Sequence, residues 1–130
     1  MHASRIFLAI TGLAYLVLAL WCLAKPAQTA ESVGFTLSRG SGQSEYLVLY
    51  GGLQLGLALL FLQPLWRPER LVPMLEVCTV LHGCLVAIRV VSLLVYTGIG
   101  STTYVLAGIE WVIFLTGAAL WWKTGSSAGV

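Results

Sequence analysis

The sequence predicts an all-α integral membrane protein, a four-helix bundle with both termini on the cytoplasmic side. Three observations carry that expectation. Charged residues make up only 9% of the chain while 58% is hydrophobic, whereas soluble domains carry roughly 25% charge. The apolar residues gather into four runs, each close to the roughly 20 residues that a membrane helix needs. The positive residues outside those runs are unevenly shared between the two sides that four crossings define.

The elements follow in order. The first helix is expected over about 6–24, ended by Lys25-Pro26. Arg5, this apolar stretch and the following "AKPAQTAES" resemble a secretory leader. However, leader cores run to about 7–15 residues, and here the run is longer, contains Trp21 and places Gln28 where a small residue belongs. It is read as a retained helix. The first half of the loop that follows can form a short amphipathic helix through Val33, Phe35 and Leu37, and "SRGSGQS" is flexible; of a lid over the pocket mouth and a connector, it is read as a connector. The second helix is expected over about 45–63, with Gly52 and Gly56 spaced for close helix approach. Pro64, Pro68 and Pro73 bracket the next turn. Pro73 suits the first turn of the third helix, where its missing N–H is no loss. That helix, about 71–96, is the longest and must tilt or project. "GIGST" separates it from the fourth, about 104–122. The whole chain, 1–130, is thus one domain.

Arg5, Arg67, Arg70 and Lys123 fall on one side of this arrangement, and Lys25 and Arg39 on the other. The excess places the termini in the cytoplasm and makes the chain a multi-pass protein of the cell inner membrane. Trp66, Trp121 and Trp122 mark one interface, and Trp21, Tyr46, Tyr96 and Tyr104 the other. The net charge of +2 comes from scattered residues, so no nucleic-acid surface is expected. The 3 cysteines, Cys22, Cys78 and Cys84, form no C-x-x-C pair and lie in apolar runs, which argues against disulfides and thiol redox chemistry.

Two charges break the third and fourth runs: Arg89 in "LVAIRVVSLL" and Glu110 in "LAGIEWVIFL". From the helical rise, each lies roughly 10 Å below the outer interface. Opposite charges at one depth on consecutive antiparallel helices have the placement of an ion pair, and intramembrane charges usually face the bundle interior and pair. Tyr50 and Gln54 on the second helix reach comparable outer depths. Glu45 opens that helix but points away from Gln54 unless the helix begins irregularly. His82 shares the Arg89 face at greater depth. It has no second ligand nearby, because His2 lies at the opposite end of the chain. No metal or cofactor is therefore expected.

Glu45, Tyr50-Gly51-Gly52 in "EYLVLYGGLQLGLALLF", Arg89 in "HGCLVAIRVVSLL" and Glu110 in "LAGIEWVIFLTGAALWW" give the chain a resemblance along essentially its whole length. It resembles a family of small bacterial four-helix membrane proteins, domain of unknown function 4345, similar in style to DoxX-like proteins. Such a family usually carries a further arginine shortly after the first glutamate, where this chain has Leu47 and Val48. The resemblance implies the fold and no activity.

Two functions compete. In the first, Tyr50, Gln54, Arg89, Glu110, Glu45 and His82 bind a small amphipathic or lipophilic molecule, with Glu110 and Arg89 the candidates for acid/base chemistry. In the second, the charge pair is a structural clamp in a non-catalytic accessory subunit. Such a subunit would dock on a larger membrane or quinone-linked complex, or on further copies of itself. A proton-coupled exporter like the small multidrug-resistance proteins is disfavoured, because their essential glutamate lies in helix one and the apolar run here has no charge.

Overall fold

The computed structural model describes residues 1–127. Four helices are long and apolar enough to cross a membrane: His2–Ala24, Ser41–Leu65, Pro68–Val95 and Ser101–Gly125. The distribution of side chains suits an apolar solvent. Ile10, Leu13 and Val17 are 64%, 52% and 66% exposed, whereas Ser4, Thr11, Thr79 and His82 are at most 6% exposed. In water that arrangement would forfeit the hydrophobic effect; in lipid it shields the polar groups and leaves nothing to regain. The chain is a multi-pass membrane protein by this reading.

Helix α1 (His2–Ala24) starts before the apolar run because no proline or glycine interrupts the polar first turn. Helix α2 (Pro26–Ser32) lies earlier in the connector than the stretch through Val33, Phe35 and Leu37 that the pattern suggested. Two signals fix it. Pro26 sits in its first turn. At the other end Gly34 takes φ +84, with Gly34 N–H donating to Glu31 O at 3.0 Å and Phe35 N–H to Ala30 O at 2.9 Å. That is the reciprocal pattern by which a left-handed glycine stops a helix, so Val33 to Leu37 cannot continue it.

The second span is one continuous rod of three parts. Helix α3 (Ser41–Tyr46) leads into a π-helical stretch, Leu47–Leu53, and then helix α4 (Gln54–Leu62). Its start is four residues earlier than the apolar run suggests. Gly40 turns the chain at φ +76, and its N–H donates to the Gln43 side-chain oxygen at 3.2 Å, occupying a donor the helix leaves free. A 3-10 turn, Gln63–Leu65, ends the span. After a second such turn, Pro68–Arg70, helix α5 runs over Leu71–Val95. Gly98, at φ 74, breaks the chain, and helix α6 (Ser101–Ser127) resumes directly.

Close approach is carried by glycines other than the Gly52/Gly56 pair. A Cβ on Gly12 would lie 2.8 Å from Leu62 and one on Gly51 would lie 2.3 Å from Leu23, while Gly52 and Gly56 face open space. Gly12 and Gly51 thus let α1 and the second span touch, while Gly52 and Gly56 share a different face of that span.

The interior divides by end. At the end carrying the termini, Leu8, Phe61, Leu71, Met74, Leu75 and Cys78 form one cluster, with Ile113, Leu120 and Trp121 packed on it, so all four spans contribute. At the opposite, loop end the buried cluster is Cys22, Ala30 and Tyr46, with Leu18, Leu37 and Tyr50 against it. Only the first two spans and their connector build that second cluster. The loop-end halves of α5 and α6 pack mainly on each other, and it is there that Arg89 and Glu110 sit.

Candidate functional site

Arg89 in α5 and Glu110 in α6 meet side by side. Arg89 Nε donates to Glu110 Oε2 at 3.0 Å and Nη2 donates to Oε1 at 2.6 Å. Both carboxylate oxygens are engaged by the planar fork, the geometry in which guanidinium and carboxylate bind most strongly. The pair is not sealed: the side chains are 27% and 15% exposed. Val86 and Ala107, at 4% and 7%, are the buried residues nearest in sequence on the two helices.

Tyr50 comes from the π-helical stretch of the second span and lies close enough to Arg89 to interact with it electrostatically. Among the described residues no hydrogen bond joins the two. The widened turn sets its ring nearly over that of Tyr46, stacked with centroids 4.6 Å apart and planes 12° from parallel. Phe35 from the connector meets both rings edge-on, at 6.3 Å from Tyr46 and 5.7 Å from Tyr50. Gln54, the first residue of α4, is half-buried, and among the described residues its buried amide oxygen has no hydrogen-bond partner.

His82 lies deeper, 1% exposed. Its Nδ1 is 2.8 Å from the Cys78 carbonyl oxygen. A carbonyl can only accept, so Nδ1 carries hydrogen, and in the neutral ring Nε2 is then the acceptor for the Tyr15 hydroxyl 3.1 Å away. Both ring nitrogens are thus occupied within the protein. Glu110 is near enough to His82 and Tyr15 to act on both electrostatically. Among the described residues no group of three or more His, Cys, Asp or Glu is placed to hold a metal.

Glu45 stays apart. It is exposed on α3, even though the second span does begin irregularly. Beyond Arg89 toward the loop end, Ser92 is half-buried and Tyr96, just past α5, is 67% exposed. Tyr15 is the residue that sequence reasoning passed over. Its signal was there: a phenol in mid-span must find a partner when it cannot reach water, and His82 is the partner. Thr29 was equally unmarked, and Phe35 was marked only as part of an amphipathic stretch, because nothing in a connector's composition tells which of its residues turn back onto the spans.

The model of the family described as Domain of unknown function (DUF4345) matches residues 3–123. This chain belongs to the DUF4345 family. No curated protein matches it, and no solved structure does. The match takes in all four spans of the DUF4345 chain, including Tyr50, Arg89 and Glu110. The family assignment names no activity, which is left to be argued from the side chains.

Proposed function

We propose that this DUF4345 protein binds a small amphipathic or lipophilic molecule at the loop end of its bundle. Arg89, Glu110, Tyr50 and Gln54 form the polar level of the site, and Glu110 is the group able to exchange a proton with the ligand. The loop end faces outward and the termini face the cytoplasm, across the cell inner membrane, following the bias of Arg5, Arg67, Arg70 and Lys123 over Lys25 and Arg39. The observation that carries this reading is the Gln54 amide oxygen, buried without a donor among the described residues. Such an orphan costs about 1–3 kcal/mol, a cost that a donor on a bound molecule removes. The part-exposed charge pair and the Tyr50 phenol supply further polar contacts, while "GLALLF" below Gln54 is apolar. A polar level above a greasy wall suits a ligand with a hydroxyl or amide head and a hydrocarbon body.

A second reading is supported by the fork geometry of the pair. With both oxygens of Glu110 already engaged, the pair can serve as a clamp between α5 and α6 in an accessory subunit. Native mass spectrometry of protein released from lipid nanodiscs separates the two. Under the binding reading the wild type retains a specific molecule, and Tyr50→Phe and Gln54→Leu lose it while melting near the wild-type temperature. Wild type that carries nothing specific leaves the clamp.

A further inference from the structure

Tyr50 does not hold itself in place. Its ring is stacked on Tyr46 and edged by Phe35, and the Tyr46 hydroxyl donates to Thr29 Oγ1 at 3.0 Å. Thr29 in turn donates to the backbone of its own helix, reaching Lys25 O at 3.0 Å. Cys22 Sγ stands 3.7 Å from the same Tyr46 oxygen. Thr29 is 4% exposed, an unusual depth for a residue of a connector, and Tyr46 on the second span is 5% exposed. The left-handed Gly34 then returns the chain so that Phe35 lands on the two tyrosines. A plain connector between two membrane spans needs none of these contacts.

We propose that the connector positions Tyr50: Thr29 anchors Tyr46, and Tyr46 with Phe35 fixes the Tyr50 ring on the side of the site that faces Arg89. This rests on the binding function above and adds three positioning residues to it, Thr29, Phe35 and Tyr46, none of which needs to touch the ligand. The physical basis is that an aromatic side chain near the bundle surface would otherwise sample several rotamers. A stack, an edge contact and one buried hydrogen bond select a single one, so the ordering cost is met before a ligand arrives.

The test reads position and binding separately, with the whole chain in phosphatidylethanolamine/phosphatidylglycerol nanodiscs. Position is read as the nitration of Tyr50 by tetranitromethane, assigned by tandem mass spectrometry. Binding is read as photolabelling of the 46–54 segment by a long-chain alcohol carrying a diazirine beside its hydroxyl. Thr29→Val should raise Tyr50 nitration by about fivefold, the factor one net hydrogen bond supports, and lower the labelling similarly. Tyr46→Phe should do the same, and Thr29→Ser, which keeps the acceptor oxygen, should restore both readings. Unchanged nitration of Tyr50 in Thr29→Val and Tyr46→Phe overturns the positioning role, whatever the probe does. Nitration that rises as expected, with a 46–54 segment that the alcohol never labels even in wild type, upholds the positioning role and overturns the binding function.

Discussion

At the scale of single residues, the protein's polar groups are economical and coupled. Arg89 and Glu110 satisfy each other, and truncating one member of such a pair leaves an uncompensated charge, at a cost on the order of 3 kcal/mol. Glu110→Gln and Arg89→Leu should each lower the melting temperature in detergent, and the double variant should recover part of the loss. Losses that simply add would mean that the two side chains act independently. The same asymmetry applies deeper in the bundle. Tyr15→Phe leaves His82 Nε2 facing no donor, which costs about 1–3 kcal/mol. Tyr15→Phe combined with His82→Leu removes both partners and should be milder than Tyr15→Phe alone, as measured by thermal unfolding. A double variant less stable than the sum of its parts would contradict the hydrogen-bonded pair.

At the scale of elements, backbone geometry decides what the glycines do. Gly51→Ala forces Leu23 to move, since a Cβ there would lie 2.3 Å from it, and it should destabilise the protein. Gly56→Ala meets nothing within 4 Å and should be neutral or stabilise by up to about 1 kcal/mol through helix propensity. Comparing the two melting temperatures checks the assignment; equal shifts would refute it. These glycines also show where sequence reading stops. The four spans were legible because each is a long apolar run with a proline or glycine break, and such runs specify helix without reference to their neighbours. The common depth of Arg89 and Glu110 was legible for the same reason, as a count along regular helices. The π-helical stretch Leu47–Leu53 was not, because no residue pattern within "LVLYGGL" distinguishes it from a regular helix. Which glycine faces α1, Gly51 rather than Gly52 or Gly56, is settled by the partner helix that supplies Leu23. The place of Glu45 was likewise undecidable from helical angle once the helix ceased to be regular.

At the scale of the whole molecule, the two ends differ in kind. One is tied by a cluster that draws on all four spans, and the other by a cluster that omits α5 and α6. On the proposed function, the end tied by all four spans is the scaffold and the end holding the charge pair is where the ligand is accommodated. The orientation proposed from the positive residues is open to direct test. Single cysteines at Ser41 or Thr102, in a background lacking the native thiols, should react with an impermeant reagent on intact cells, whereas a cysteine at Arg67 should not. Labelling at Arg67 with none at Ser41 would invert the topology. The central claim is that the loop-end polar level holds a ligand rather than a clamp, and a high-resolution density map of the protein carried in its native lipids tests it most directly. The binding account predicts non-protein density within hydrogen-bond distance of Gln54 Oε1 and extending along the apolar wall below it. A map in which Gln54, Tyr50 and the Arg89–Glu110 pair are packed by protein atoms alone, with the Gln54 oxygen satisfied from within the chain, would contradict it.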